Sequence, residues 1–412
     1  MAGDTWPILP LGDLTENFDG RRVPVKEPDR RPGPYPYYGA SGIVDRVDGY
    51  LFDGEYLLVG EDGENLRTRQ TPVAFIATGK FWVNNHAHIV RGNHRADTRF
   101  LSYALSQTDI NGYLTGSTMP KLTQGNLNRI PVIAPPLAKQ KTIASVLGAL
   151  DDKIELNRRM NATLEAMARA LFQSWFVDFD PVRAKLDRHQ PDGLDPATAA
   201  LFPATFQDST LGNVPKGWST GSILRQADLL SGGTPKTDVA AYWNGDLPWA
   251  SAKDVSQCGE AFLVSTERTI TKLGVDESST KIIPELATVV VARGATTGRL
   301  TMFAHAMAMN QTCYGLRSKV DAPFALYCHA RHFIERLVQG GHGSIFDTIT
   351  TSTFEATDVL LAPKEVLRGF DKRVAPLFKQ VQANIHQSRN LAALRDTLLP
   401  KLLTGELRPK QN

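Results

Sequence analysis

Two histidine pairs are the first residues in this chain whose types and spacing suggest chemistry. His86 and His88 stand at i, i+2 in a strand-like stretch, and His329 and His332 share a helix-like stretch beside Cys328. Such pairs hold a transition metal when a third donor stands at a sensible spacing. No third donor does, so both pairs read as ordinary surface or core histidines and no metal is expected. Glu61 and Asp62 with Glu64 offer carboxylates for acid–base work, but a solvated turn accounts for them. The sequence holds no GxxxxGK[ST] loop, no strand followed by GxGxxG, no HExxH and no GxSxG elbow. The Asn-Pro-Pro-aromatic motif of amino methyltransferases is also missing, since Pro135-Pro136 follows Ala134 and precedes Leu137. No catalytic residue is assigned.

What the sequence carries instead is a repeat. Residues 116–175 align without a gap on residues 343–402, at a fixed offset of 227. Gly116-Ser117 falls on Gly343-Ser344, the run 132–136 on 359–363, Asn157 on Asn384, Leu164 on Leu391 and Leu171 on Leu398. Only 10 of the 60 pairs are identical, but the apolar spacing is kept throughout. A unit built twice predicts pseudo-twofold symmetry, which suits a partner with two separated half-sites, duplex DNA above all.

Each repeat closes on a helix with a heptad seam. The first seam runs Ile143, Leu147, Leu150, Ile154, Asn157, Asn161, Leu164, Ala168, Leu171, Trp175. Its partner runs Phe370, Val374, Leu377, Val381, Asn384, Ser388, Leu391, Arg395, Leu398, Leu402. Both carry a polar block at the middle, and a buried Asn fixes register because misalignment leaves its amide unsatisfied. Leu150, Ile154, Asn157, Leu164 and Leu171 are therefore expected to pair antiparallel with Leu377, Val381, Asn384, Leu391 and Leu398. Pro376 belongs in a first helical turn, so the second helix is expected over 376–399, ending before Pro400, with a separate short helix around Phe370.

Composition bounds the setting. With 412 residues, 42% of them hydrophobic and 22% charged, the chain is expected to form two or three soluble domains. No apolar run approaches a membrane span, and the first residues lack the basic start and apolar core of a secretory signal. Cys258, Cys313 and Cys328 form no CxxC pair, which predicts reduced thiols and a cytoplasmic location. The net charge of +3 does not announce a nucleic-acid binder, so any basic surface must come from uneven distribution.

These patterns divide the chain into strand-rich residues 1–134, a helix over 135–177, a connector over 178–214, a second strand-rich part over 215–361, and a distal helix with tail over 362–412. Shorter helices are expected near 97–107 and 323–338.

Several segments then carry a family resemblance. Tyr37-Tyr38-Gly39-Ala40-Ser41-Gly42, followed by Tyr50-Leu51-Phe52-Asp53-Gly54-Glu55-Tyr56-Leu57-Leu58-Val59, is similar to a common first target-recognition domain. Gly232-Gly233-Thr234-Pro235, followed by Gly245-Asp246-Leu247-Pro248-Trp249-Ala250-Ser251-Ala252-Lys253-Asp254-Val255, is similar to a common second one. Pro135-Pro136-Leu137 with Gln140, Ile143 and Leu150-Asp151-Asp152-Lys153-Ile154 resembles the central conserved helix, and the run 394–407 the distal one. Over nearly its full length the chain resembles the specificity subunit of a type I restriction-modification system.

The resemblance implies an α+β fold, with two target-recognition domains separated by two long antiparallel helices. It implies recognition of a split DNA sequence, one half per domain, and docking of two methyltransferase subunits and of restriction subunits. S-adenosylmethionine, ATP and Mg would belong to those partners, and this chain would carry no cofactor. A helix over 143–175 would span roughly 48 Å at about 1.5 Å per residue, enough for half-sites about 34 Å apart. Two alternatives are a recognition part of a single-chain restriction-methylation enzyme and a stand-alone DNA-binding scaffold. The first would need methyltransferase and nuclease segments ahead of the recognition region, whereas recognition-like sequence starts at Trp6.

DNA contacts are expected from Tyr38, Ser41, Lys80, Asn84, Asn85, His86 and Lys121 in the first domain. In the second they are expected from Thr234, Lys236, Ser251, Lys253, Arg293, Thr296, Thr297, Asn310 and Gln311. Carboxamides pair bidentately with adenine, and Arg and Lys suit guanine or phosphate. Trp82 and Trp249 read as core.

Overall fold

The computed structural model describes residues 6–340 and 348–408, so the Gly343-Ser344 end of the repeat lies outside the described residues. The chain divides into two compact units, one of residues 1–154 with 390–412 and one of residues 155–389.

The first unit is built on a six-stranded sheet. Its order is Thr15–Asn17, Ala87–Gly92, Phe52–Gly60, Ala74–Val83, Pro32–Gly39, Gly42–Val47. All neighbours are antiparallel except Pro32–Gly39 and Ala74–Val83, which run parallel. The run Leu57-Leu58-Val59 is apolar on both faces because the sheet has a core on each side. Leu57 and Val59 enter a cluster with Phe100 and Leu101 of the helix Thr98–Gln107, whereas Phe52, Tyr56 and Leu58 pack with Phe81 and Ile89.

The second unit holds a five-stranded sheet, in the order Ala227–Ser231, Cys313–Ser318, Thr288–Val291, Leu300–Phe303, Phe262–Leu263. A four-stranded sheet follows the order Arg268–Ile270, Trp243–Ala250, Met307–Met309, Ile282–Ile283. Alternation again serves two cores: Val290 packs with Phe333 of the helix Pro323–Gly340, whereas Val289 and Val291 pack with Phe303 and Met309. The repeat is visible in the strands. Ile8–Pro10 pairs antiparallel with Pro131–Ile133, and Ser219–Ser222 pairs antiparallel with Asp358–Leu361. Pro131 and Asp358, the first residues of the later strands, are 227 apart.

Two 40-residue helices, Leu137–Phe176 and Lys364–Leu403, complete the fold. In the first unit Ile143 and Leu147, early in the first helix, cluster with Leu399, Leu402 and Leu403, late in the second. In the second unit Phe172 and Trp175, late in the first helix, cluster with Phe370, Val374 and Phe378, early in the second. The pairing is therefore antiparallel, as the seams predict. Arg395, which breaks the apolar spacing, donates to Asp151 at 2.7 Å, and Asp151 also accepts from the Tyr103 hydroxyl at 2.5 Å.

One expectation is corrected. The second helix neither starts at Pro376 nor ends before Pro400, and Phe370 lies within it rather than in a separate short helix. Each proline removes one ladder hydrogen bond and frees the carbonyl four residues earlier. Those carbonyls belong to Lys372 and Asp396, both exposed, where water can satisfy them. Burial of Phe370, Val374, Phe378 and Val381 on the other face holds the helix through Pro376. The buried seam also takes Phe378 and Ile385, whereas Leu377 is only half-buried.

Candidate nucleic-acid interface

In the first unit, backbone hydrogen bonds tie four turns into one cluster. The Asn84 amide donates to the Tyr38 carbonyl at 3.0 Å, which sets the turn after Val83 beside the turn 38–41. The Glu61 amide donates to the His86 carbonyl at 2.8 Å, the Leu122 amide to the Glu61 carbonyl at 2.7 Å, and the Gly63 amide to the Pro120 carbonyl at 3.1 Å. An isolated antiparallel bridge joins Asp62 and Lys121.

The second unit repeats three of these links on other residues. The Asn310 amide donates to the Ala250 carbonyl at 2.9 Å, the Ala292 amide to the Thr312 carbonyl at 2.8 Å and the Ile349 amide to the Ala292 carbonyl at 2.8 Å. A bridge joins Arg293 and Thr348. Strand register agrees: Tyr38 pairs with Val83 as Ala250 pairs with Met309, in each case parallel. The asparagines match in detail. Asn84 Oδ1 accepts from the amide of His86 at 2.8 Å, and Asn310 Oδ1 from the amide of Thr312 at 3.3 Å. By this correspondence Asn84 matches Asn310, Asp62 matches Arg293, and Lys121 matches Thr348.

The cluster brings together Tyr38, Ser41, Asn84, Asn85, His86 and Lys121, with Ser41, Asn85, His86 and Lys121 exposed. His86 Nδ1 lies 2.8 Å from Asp62, and Lys121 Nζ 3.5 Å from Glu61. Tyr38 packs on Phe75 and Phe81, and burial pushes its phenol up from the ordinary value. Asn84 is buried and shapes its turn. Lys80 stands apart, with its ammonium 4.7 Å from the centre of the Tyr50 ring.

The second cluster gathers Thr234, Ser251, Arg293, Asn310 and Gln311. The Gly233 amide donates to the Met309 carbonyl at 2.9 Å, and the Thr234 hydroxyl to Gln311 Oε1 at 2.5 Å. Ser251 and Asp254 form a capping box on the helix Ala252–Gln257, and Lys253 pairs with Glu267 at 2.7 Å. Arg293 is exposed at the start of a loop turned by Gly294, whose φ is +97°. Thr296 is exposed and Thr297 half-buried in the same loop; Lys236 is exposed, its carbonyl accepting from the Trp243 indole at 3.0 Å.

Trp249 is buried, its indole donating to the Gly233 carbonyl at 3.0 Å, whereas Trp82 is half-buried and its indole donates to the Val23 carbonyl at 2.6 Å. Arg268, exposed with its guanidinium 3.5 Å from the Trp243 ring centre, escaped sequence reasoning because nothing local marks that pairing.

His86 lies against Asp62 and His88 against Asp19, whereas His329 and His332 both lie against the Phe172 ring. His329 is buried against Phe172 and Phe176, and burial, then His332, pulls its imidazole down to about 3. Burial pushes the adjacent Cys328 thiol up to about 12. Among the described residues no group of three or more His, Cys, Asp or Glu is arranged to hold a metal ion. No helix among them is long and apolar enough to cross a membrane.

Comparison with known proteins places this architecture. The family described as "Type I restriction modification DNA specificity domain" matches residues 3–166 and 215–394. The type I restriction enzyme HindI specificity subunit of Haemophilus influenzae is 27% identical, covering 86% of this chain and 84% of its own. The type I restriction enzyme MjaIX specificity subunit of Methanocaldococcus jannaschii is 22% identical, covering 98% and 94%. The crystal structure of the type I restriction-modification system S subunit from M. genitalium shares the fold, with a TM-score of 0.62 at 12% identity over 99% of this chain and 98% of that one. With both repeats inside the matched residues, the chain belongs to the family of type I restriction-modification DNA specificity subunits.

Proposed function

We propose that this subunit reads a bipartite duplex-DNA target, one half-site per recognition domain, with the domains at 1–134 and 215–361. The helices at 135–177 and 362–412 set the spacing and dock methyltransferase and restriction subunits in the cytoplasm, with 178–214 as a connector. The chain itself performs selection; methyl transfer with S-adenosylmethionine, and ATP- and Mg-dependent steps, belong to the partner subunits. The observation that carries the reading is the duplicated turn cluster. The same backbone links recur in both units while the side chains on them change from Asp62 and Lys121 to Arg293 and Thr348. A constant frame with changed polar side chains suits two surfaces that read different base edges through similar geometry.

The test is selection of duplexes from a pool of randomised sequence by the purified full chain. Two separated conserved blocks are expected. A single block, or none, contradicts the reading. Co-purification of two methyltransferase chains separates it from a stand-alone scaffold.

A further inference from the structure

His88 is buried on the strand Ala87–Gly92, behind the first turn cluster. Its Nδ1 lies 2.6 Å from Asp19 Oδ2 and its Nε2 lies 2.7 Å from the Leu122 carbonyl oxygen. A carbonyl can only accept, and Asp19 is committed as an acceptor. Its Oδ1 takes the Ile89 amide at 2.8 Å, and the Arg22 guanidinium stands 3.7 Å from Oδ2. A neutral imidazole has a single N–H, so one of the two contacts would set acceptor against acceptor. Only an imidazolium donates both.

The ring is one member of a charged chain. Glu61 Oε2 lies 3.9 Å from His88 Nδ1 and accepts from Arg22 at 2.7 Å, and Glu61 Oε1 lies 3.5 Å from Lys121 Nζ. The facing charged groups are thus Asp19 and Arg22 from the turn at 19–22, Glu61 from the end of the strand Phe52–Gly60, and Lys121 from the segment that ends on Leu122. Among the described residues, the second unit carries Tyr314 rather than a histidine at the matching place. Val59 pairs with His88 as Val290 pairs with Tyr314, and Tyr314 packs edge-on against Phe354 at 5.8 Å.

Building on the proposed reading of DNA, we infer that His88 is a positioning residue held as a buried cation. It fixes the segment carrying Lys121, and recognition by the first domain, unlike that by the second, weakens as rising pH neutralises it. Burial pulls the imidazolium down, but the bonds to Asp19 and Leu122 and the charges of Asp19 and Glu61 hold it above its ordinary value of 6.5. A raised folded value means that the stabilisation is fully present below 6.5 and is lost as pH rises through the folded value.

Two measurements on the full chain test this. In ring-nitrogen NMR of labelled histidine, with the His88 signals assigned by their loss in His88→Gln, both His88 nitrogens should be protonated at about pH 7. An unprotonated ring nitrogen there overturns the inference. In selection from randomised duplexes, selectivity in one half-site should fall about tenfold or more as pH rises past the His88 transition seen by NMR, while the other half persists. His88→Gln should show the weakened half at every pH. Both halves persisting after His88 has lost its proton overturns the positioning role. So does a pH dependence abolished by His86→Asn, which would assign it to the exposed His86–Asp62 pair. If the wild-type chain selects no sequence at any pH, the DNA-reading proposal fails instead, and NMR still decides the charge of His88.

Discussion

The side-chain amide of Asn384 donates to the carboxamide oxygen of Asn161 at 2.9 Å, with both residues buried. Asn384 Oδ1 accepts from Gln380 at 2.8 Å, and Asn157 Nδ2 reaches Gln387 Oε1 at 2.9 Å and Ser388 at 3.2 Å. The polar blocks of the two seams therefore meet, which fixes the pairing register of these helices. Replacing Asn384 by Ala should cost about 1–3 kcal/mol, because the Asn161 oxygen is left buried without its donor. Replacing both Asn161 and Asn384 by Leu should recover most of that loss. Denaturant unfolding of the three proteins checks it, and a double variant weaker than the single one would contradict it.

Asp371 should make the stability of the fold depend on pH. Its Oδ1 accepts from the amides of Phe324 and Ala325 at 2.7 and 3.0 Å, capping the helix Pro323–Gly340. Burial outweighs those bonds and pushes the carboxyl up to about 6 from 3.8. Protonation therefore favours the folded chain: the benefit is complete below about 3.8 and is lost as pH rises through about 6. Asp371→Asn keeps an acceptor oxygen and removes the buried charge. Relative to wild type it should be more stable at about pH 7, and that advantage should shrink toward about pH 4. Thermal unfolding across this range decides, and an advantage independent of pH would show that the charge is not responsible.

Arg293 is matched to Asp62 by backbone links and is exposed on its loop. If it contacts a base, Arg293→Ala should cost about 1–3 kcal/mol and relax one position of one half-site. Contact with phosphate alone should weaken binding uniformly and flatten the salt slope by about one unit. Titrations at several salt concentrations separate the two, and affinity unchanged at every salt removes Arg293 from the interface.

The two long helices and their antiparallel packing were legible because heptad spacing and the Asn blocks are local signals. The extent of the second helix was not, because tertiary burial of Phe370 and Phe378 overrides the local cost of Pro376. The matched turn clusters were hidden for a different reason. Asn84 and Asn310 are 226 residues apart, Lys121 and Thr348 227, but Asp62 and Arg293 231, so loops of unequal length break any single offset. His88 was visible as a residue, but its partners Asp19, Glu61 and Leu122 lie far from it in sequence and meet it only through the sheet.

The central claim is that each domain reads its own half-site, and exchange of one domain tests it most directly. Replacing residues 5–134 with those of another family member, in a complex with active methyltransferase subunits, should change one half of the motif methylated in host DNA. The other half should stay as it is. A change in both halves would contradict the account.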